Sequence, residues 1–455
     1  MMYHPITQAT HGVPFKRLVL CSLLLGLSSS VWSMDLLQAY QAAQQQDATI
    51  LASRAAAQAG RERLPQARSQ LLPNVAASVA SNRNKLASTA PDFLGQEQTT
   101  DSAYPSSNQT LTVRQPLFRP YLTAQYRQAK AQVDDADATL AQDEQNLAVR
   151  VSGAYFEAML THEQLALVLA QRTAYNTQLD AARKLFAAGS GTRTDVDEAQ
   201  ARLDMTVAQE IEARQNIDYT LRQLQILVNQ PIDGLATLDV SKLELLDPQP
   251  NRLEAWTERA EQNSPQMQSL KAQVEVARQE VDKAKAGHYP TLDAVAQWSR
   301  SDSENVLSIN SRYTDNAVGL QLNIPIFSGG YVNSSVRQAL AGLDRAEQVL
   351  EAGRRDLGVR VHKEFRGVTE NIPKIRALEQ AVRSSDQLVL SSQKSFQAGS
   401  RTVLDVLNAE QQRMVVLRDL AQARYMYLMS KIRLLALVGD ADTQAVTAMN
   451  RVLQP

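Results

Sequence analysis

The sequence offers few residues in a pattern that could carry out chemistry, and a glycine-rich segment is the first of them. Residues 189–194, Gly-Ser-Gly-Thr-Arg-Thr, have the small side chains of a phosphate-binding loop. They lack the lysine of that motif, and no strand-like segment precedes them. His162, His288 and His362 have no second histidine or cysteine three or four residues away, which argues against a metal site. No serine, histidine and aspartate lie near one another in the sequence, although the sequence does not exclude a catalytic triad assembled from distant positions. The sequence therefore predicts no enzyme, cofactor or metal centre.

The glycine-rich segment belongs to a repeat instead. Phe186–Val196 returns without a gap as Phe396–Val406, an offset of 210 residues (396 − 186). A repeat of this length that is present only twice points to internal duplication of a large helical-hairpin unit. Gly189 and Gly399 are then predicted to end one helix and start the reversal into the next.

The elements that position these reversals are predicted to be mainly helical. From Tyr121 to Ala188 apolar residues recur three and four apart without a proline, which predicts one helix on the order of 100 Å long. A second long helix is predicted from Val332 to Gln397, where Pro373 should bend it or locally break its hydrogen-bond ladder. Shorter helices of roughly 50 Å are predicted at 35–70, 195–228, 253–286 and 405–438. Two short helices stacked end to end would match one long helix in each repeat.

Between the first short helix and the long helix of each repeat, the hydrophobic period changes to two. Alternation at Leu292–Trp298 and Val318–Ile324 predicts two amphipathic strands, and Val75–Val79 and Leu111–Val113 give a weaker pair. The polar segments 83–107 and 302–312 are predicted to be the loops of these hairpins. Four strands cannot close a barrel, so several chains would have to share one in a membrane. The aromatic residues beside the strands fit either an interfacial girdle or packing at the helix–strand junctions.

Composition and the N-terminal pattern exclude several classes of protein. Lys16-Arg17 precede an apolar run from Leu18 to Leu27, and this pattern predicts a signal peptide cleaved so that the mature chain starts near Met34. The single cysteine, Cys21, lies within that run, so neither a lipid anchor nor a disulfide is expected. No later stretch reaches the roughly 18 apolar residues of a spanning helix, which excludes a helical inner-membrane protein. A net charge of −1 without Lys/Arg clusters argues against nucleic acid as a partner.

These patterns divide the chain into five predicted parts. They are a signal peptide at 1–33, a first repeat at 34–229, a linker at 230–251, a second repeat at 252–439 and a C-terminal tail at 440–455. The linker and the tail lack helical periodicity. Both are expected to form a band around the middle of the helical body.

Several short motifs, taken in order, resemble one family. They are the signal peptide, Leu-Leu-Pro at 71–73, Gln-Pro-Leu-Phe at 115–118, Ile-Pro-Ile-Phe-Ser-Gly-Gly at 324–330, and the duplicated Gly-Ser…Asp-Val reversal. Together they resemble the TolC family of outer-membrane export channels, from Met34 to Asp440. The resemblance implies a mainly α fold with a small β part. It also implies a homotrimer with a shared twelve-stranded β-barrel in the outer membrane and a long antiparallel α-helical barrel in the periplasm.

The family's function follows from the same resemblance. Such a channel is not an enzyme; it opens when a periplasmic adaptor protein and an inner-membrane ABC or proton-driven transporter dock at its periplasmic end. Protein secretion and small-molecule efflux both stay open for the cargo, and the missing acylation cysteine favours secretion. The alternative function is a periplasmic coiled-coil adaptor or scaffold without a pore. The amphipathic strands favour the channel, because a soluble scaffold has no need for outward apolar residues there.

The resemblance assigns a gate to the repeated reversals. Arg401 takes the place of an arginine that ties its helix pair to a neighbouring threonine and aspartate, which correspond here to Thr194 and Asp195. Phe396 stands where the family's well-studied member has a tyrosine that donates to the same aspartate, so that bond is expected to be missing. Ordinary solvated charge at helix ends is the alternative reading of Arg401 and Asp195, because the helix dipole favours a carboxylate near an N-terminus.

A pore constriction is implied as well. Asp405 matches the family's constriction aspartate, three copies of which would ring the pore of a trimer. Asn408 takes the next ring position, and one acidic ring in place of two should weaken cation trapping at the entrance. The adaptor is expected to dock at the tips of the reversals, at Gly189, Ser190, Gly399 and Ser400.

Overall fold

The computed structural model describes residues 33–305 and 308–454, and helices dominate it. The predicted signal peptide, including Cys21, lies outside the described residues except for Ser33. Within them, every helix is too short or too polar to cross a membrane. The fold class predicted from the sequence, mainly helical with a smaller β part, is confirmed.

Two long helices form the frame of the molecule. Helix α4 (Pro120–Ala187) has 68 residues and α8 (Tyr331–Gln397) has 67, close to the predicted bounds. A proline at the first helical position suits the start of α4, because its missing N–H would have no partner there. Helix α8 continues through Pro373 without interruption, and the side chain of Asn371, two residues before the proline, donates to the Gly367 carbonyl one turn earlier at 2.5 Å. Pro373 has no N–H to donate, so the hydrogen-bond ladder lacks one bond there, in line with the prediction, although the helix itself is not interrupted.

The shorter helices complete the body, and two of the predicted ones are segmented. They are α1 (Leu36–Gln46), α2 (Ala48–Arg61), α3 (Arg63–Ser69), α5 (Arg193–Val228), α6 (Leu253–Asn263), α7 (Pro265–Lys285), α9 (Val403–Leu437) and α10 (Thr443–Asn450). The predicted helix 35–70 is interrupted because Asp47 has an extended backbone and caps Thr49 N at 3.1 Å. The predicted helix 253–286 breaks at Ser264, since the residue before a proline is disfavoured in helical geometry.

A four-stranded antiparallel sheet stands at one end of the body. The strands of the molecule are β1 (Asn74–Pro91), β2 (Glu97–Phe118), β3 (Thr237–Leu238), β4 (Thr291–Asn305), β5 (Ser308–Asn323) and β6 (Leu453–Gln454), and the large sheet has the order β1-β2-β4-β5. The segments 83–107 and 302–312, predicted to be loops, are mostly strand. Polar residues continue the ladder there, as in the 2.8 Å hydrogen bond between the Thr89 and Thr99 hydroxyls.

The edges of this sheet are open. Strands β1 and β5 each pair with one neighbour, and no further described strand covers their outer edges. Large apolar side chains on these strands face solvent in the single chain: Val79 is 77% exposed and Val318 is 88% exposed. A soluble monomer would leave both the backbone groups and the apolar side chains of these edges without a partner.

Three distant segments meet at the middle of the body and form what we call the equatorial clasp, residues 34–37, 234–239 and 450–454. Strand β3 of the linker pairs with β6 of the tail. Met34 N donates to the Gly234 carbonyl at 2.9 Å, and the Asn450 side chain accepts from Leu36 N at 3.0 Å. Helix α10 corrects the prediction that the tail is non-helical, since its eight residues are too few to show a period in the sequence.

The helices lie side by side with two free margins. Helix α4 packs against α5, α7 and α9, and α8 packs against α7 and α9. Helix α8 therefore forms one margin of the chain, while α2, α3 and α5 form the other. The main core lies between these helices near the equatorial clasp, where Tyr155, Phe156 and Tyr425 are buried against one another.

Candidate gate at the helical tip

The reversals at the end of the helical body have the same geometry in both repeats. Gly189 has φ +72° and Gly399 has φ +74°, in the left-handed region that favours glycine. No neighbouring atom would contact a Cβ at either position, so backbone conformation alone requires the glycine. Ser190 and Ser400 follow in both turns and are exposed, as expected for tips that a partner could reach.

Each reversal leads into the next helix through a capping box. The Asp195 amide donates to the Thr192 hydroxyl at 3.1 Å, and the Asp195 carboxylate accepts from Thr192 N at 3.1 Å. The second repeat has the same arrangement, with Asp405 N to the Thr402 hydroxyl at 3.3 Å and Thr402 N to the Asp405 carboxylate at 2.9 Å. The sequence therefore places both carboxylates on the first turn of a helix by one local rule.

The capping box also determines the charge of the candidate constriction residue. The backbone N–H of Thr402 and then its hydroxyl donate to Asp405 and hold the pKa of that carboxyl below its ordinary value, with a smaller contribution from the charge of Arg401. Asp405 is half-buried and Asn408, one helical turn later, is exposed. Asp405 is therefore an anion at neutral pH.

Arg401 takes a partner within its own hairpin. Its Nη1 donates to the hydroxyl of Ser392 at 3.0 Å, and Ser392 is fully buried. In the described part of the chain no hydrogen bond or ion pair joins Arg401 to Thr194 or Asp195. A tie of Arg401 to these two residues would have to form between chains or in another state of the tip, and it stays a prediction.

Phe396 contributes to a small apolar core that we call the tip cluster. Its buried members come from α4, α5 and α9, and they are Tyr175, Leu179, Ala182, Ala199, Val403 and Leu407. Phe396, on α8, packs against this cluster from the side. All four helices of the tip therefore share one apolar contact, and an aromatic ring without a hydroxyl suits the position of Phe396.

A residue that the sequence did not reveal connects the two hairpins. Arg202, on α5, donates from Nη2 to the side-chain oxygen of Asn408 at 3.1 Å and from Nη1 to that of Gln411, both on α9. Its Nε donates to Glu198 one turn earlier at 3.0 Å. Partners more than 200 positions away leave no local sequence signal. The only indication is that Arg202 flanks the apolar stripe of Ala199 and Leu203.

Within each hairpin several further polar side chains pair. Arg172 on α4 binds Glu210 on α5 at 2.8 Å, and Arg183 binds Gln200 at 2.8 Å. In the second hairpin Gln393 on α8 donates to Glu410 on α9 at 3.2 Å. Burial raises the pKa of Glu410 above its ordinary value. These pairs hold the helices of one hairpin together.

Metal-ligating side chains do not gather at this tip. Across the described residues no three or more His, Cys, Asp or Glu side chains are grouped as a metal site would need. The polar groups of the tip form hydrogen bonds and ion pairs with one another instead, and these contacts hold helices together.

Comparison with known proteins agrees with this geometry. The family model described as "Outer membrane efflux protein" matches residues 39–230 and 256–440. The alkaline protease secretion protein AprF of Pseudomonas aeruginosa is 34% identical over 432 residues, which cover 94% of this chain and 89% of AprF. The outer membrane protein TolC of Escherichia coli K12 is 30% identical, over 95% of this chain and 89% of TolC.

Solved structures share the fold. The structure of CusC superposes with a TM-score of 0.77 at 14% identity, over 92% of this chain and 95% of that one. The resemblance inferred from the motifs of the sequence is therefore confirmed. The chain belongs to the outer membrane efflux protein family, and it is an outer-membrane export channel component with a helical body in the periplasm.

Proposed function

We propose that three copies of this chain form an exit duct that works with a periplasmic adaptor and an inner-membrane transporter. The observation that carries this proposal is the open four-stranded sheet. Its order β1-β2-β4-β5 makes the edge strands β1 and β5 run in opposite directions, so a second copy can continue the antiparallel pattern. Three copies would then contribute twelve strands and close the edges into one barrel.

The size of such a barrel suits a duct. Twelve strands spaced about 4.8 Å apart and tilted by about 40° give a circumference of roughly 75 Å, and hence a diameter of roughly 24 Å. This width exceeds that of the smallest barrels, whose interior is filled by side chains. Export through the lumen is therefore sterically feasible.

The helical margins of the chain support the same assembly. Helix α5 exposes apolar side chains on one margin, with Tyr219 63% and Ile226 70% exposed, and α8 exposes Val359 to 69% on the other. Along the chain, α3 of the first margin leads into β1, and β5 leads into α8 of the other. Contact between copies along both the strands and the helices would enclose a tunnel over the whole length of the molecule.

Cross-linking of the two edge strands tests this assembly. Val75 and Val318 lie at the same level of the sheet, because Val75 pairs with Val113, Val113 with Ala296, and Ala296 with Val318. A V75C/V318C chain, with adjacent β5 positions scanned to allow for stagger, is oxidised in outer-membrane vesicles. We expect covalent products that stop at the trimer, because a closed ring has no free edge.

Two controls make this result specific. Either single variant, V75C or V318C, should give no product between chains, since each junction joins β1 of one copy to β5 of the next. Val113 and Ala296 lie opposite each other within one chain, so oxidation of V113C/A296C should give no product larger than the monomer. A ladder that extends beyond three chains, or no interchain product at any scanned position, would contradict the closed trimer.

The partners and the cargo form the second part of the proposal. The tips around Gly189, Ser190, Gly399 and Ser400 would receive the adaptor, because they are exposed and lie farthest along the helices from the sheet. Similarity to AprF over nearly the full chain supports secretion of a protein such as a protease. Deletion of this chain from its host should then abolish the extracellular protein and leave drug susceptibility unchanged. The reverse pattern would favour small-molecule efflux.

A further inference from the structure

The two hairpins of the tip have very few polar ties between them. The first hairpin comprises α4 from residue 171 and α5 to residue 212, and the second comprises α8 from residue 385 and α9 to residue 415. In these ranges of the described chain, the hydrogen bonds and ion pairs stay within one hairpin, apart from the two that Arg202 donates to Asn408 and Gln411. One side chain therefore carries the directional contact between the hairpins.

The guanidinium of Arg202 is held in place on three sides. Nε binds Glu198 on its own helix at 3.0 Å, which orients the plane of the group and balances its charge. Nη1 and Nη2 are then free to bind Gln411 and Asn408. Arginine presents these donors in a rigid planar fork, whereas lysine offers a single nitrogen. Lysine could reach one of the two partners but not satisfy both in this geometry.

Each hairpin is also tied internally, by ion pairs between its own two helices. Glu210 pairs with Arg172 in the first hairpin, and Asp386 pairs with Arg413 at 2.5 Å in the second. A hairpin therefore moves most easily as a unit. Packed helices shift between discrete arrangements in such movements, and apolar contacts like those of the tip cluster tolerate sliding better than hydrogen bonds do.

We propose that Arg202 is a positioning residue of the gate, which latches the two hairpins of each chain together at the level of the predicted constriction. The inference rests on the proposed channel function and deepens it. Arg202 acts through Asn408 and Gln411, and its loss frees α9, with Asp405 on its first turn, to move away from α5. The resting width of the tip is thus set partly within each chain rather than only between chains.

Conductance of the purified full-length protein in planar bilayers tests the latch. R202A should raise the open-to-closed ratio roughly tenfold, since two hydrogen bonds from a charged donor are lost. R202K should restore only part of the wild-type behaviour. R193A is the matched control, because Arg193 lies on the same helix α5 and forms an exposed pair with Asp197 one turn later, and it should leave the conductance unchanged.

Two further variants separate a latch from simple damage to the fold. Q411E gives Arg202 a carboxylate partner outside the ring positions assigned to the constriction, and the stronger charge-assisted bond should lower the resting conductance below that of the wild type. A loss of folding could only act in the opposite direction. The N408A/Q411A chain should behave like R202A, and adding R202A to it should change nothing more, because all three residues act through the same contacts.

A cross-link supplies the converse measurement. In R202C/N408C a short bis-maleimide reagent would replace the latch, and no other cysteine lies beyond Cys21 of the predicted signal peptide. We expect the linked channel to stay at its lowest conductance. If the wild type conducts and R202A does not change its conductance, or if Q411E opens the channel, the latch alone is overturned. Absence of conductance from the wild type and all variants would overturn the channel proposal itself.

Discussion

Thr402 controls the charge of Asp405 at the scale of single residues. Its backbone N–H and hydroxyl both donate to the carboxylate, and this lowers the pKa of Asp405. Because the folded pKa is depressed, the carboxylate keeps its charge as the pH falls and loses it only below the usual range for aspartate. Block of the channel by multivalent cations should therefore persist into acid.

A first prediction follows from this contact. T402V removes the hydroxyl donor, so the pKa of Asp405 should rise, and cation block should be lost at a higher pH than in the wild type. The measurement is the pH dependence of block in planar bilayers. T192V, in the reversal of the first repeat, is the control and should not shift it. D405A should abolish most of the block, and equal block in D405A and the parent would remove Asp405 from the constriction.

A second prediction concerns Arg401. R401S should raise the resting conductance several-fold, because it removes the hydrogen bond to buried Ser392 and the predicted tie to Thr194 and Asp195. R193S is a matched control, since Arg193 forms an exposed pair with Asp197 on the same helix and such pairs contribute little. S392A separates the two roles of Arg401. If it reproduces R401S, the contact within the hairpin is sufficient and the tie between chains is not needed.

Residues of the tip differ in how far the sequence could predict them. The predicted helices 195–228 and 405–438 placed Asp195 and Asp405 correctly on first turns, whereas the capping boxes with Thr192 and Thr402 were not predicted, although they are local patterns. The partners of Arg202 could not be predicted, because they depend on how two helices pack rather than on spacing. The contact of Phe396 with the tip cluster was missed for the same reason.

At the scale of elements, the contact between α8 and α9 leaves no room for a side chain at Gly367. A Cβ on Gly367 would lie 2.3 Å from the Ser430 hydroxyl and 2.9 Å from its Cβ. We predict that G367A destabilises the protein by about 1 to 3 kcal/mol, because the helices must move apart. Thermal unfolding checks this value. The cost of G367A should be smaller when it is measured in an S430G background, which removes the side chain it meets, and an equal cost in both backgrounds would show that the crowding lies elsewhere.

A glycine in open space on the same helix supplies the control. Gly342 has no neighbouring atom within 4 Å of an added Cβ and is exposed on α8. G342A should therefore stabilise the helix by up to about 1 kcal/mol, the usual difference in helix propensity. If G367A lowers the stability and G342A raises it, packing rather than helix propensity causes the loss, because both are glycine-to-alanine substitutions in α8.

The sequence predicted the long elements better than their interruptions. The stretch from Tyr121 to Ala188 lacks proline, so its bounds followed directly from apolar spacing. Single capping residues such as Asp47 interrupt the shorter helices. These interruptions were not predicted, because the helical spacing of apolar residues continues on both sides of them. The strands were underestimated because alternation marks only their apolar part, while backbone pairing continues to Pro91 and Glu97.

For the whole molecule, the equatorial clasp joins segments that are far apart in sequence. The Asn450 side chain accepts from Leu36 N and Leu37 N, at 3.0 and 3.4 Å, and so caps α1 from the other end of the chain. N450A should cost about 1 kcal/mol of unfolding free energy, the usual effect of losing a helix cap. Hydrogen exchange at the Leu36 and Leu37 amides should accelerate. Q444A, at an exposed position of α10, is the control, and equal exchange in both variants would argue against the cap.

The open sheet has a genetic consequence. If each ring joins β1 of one subunit to β5 of the next, every ring needs three intact junctions, and one faulty subunit spoils its whole ring. A cell that makes normal subunits and subunits with a blocked edge strand in equal amounts would retain only about one-eighth of its rings intact. Alleles that block one edge strand, β1 or β5, and leave the other able to pair should therefore be dominant negative, whereas alleles that prevent synthesis of the chain should be recessive.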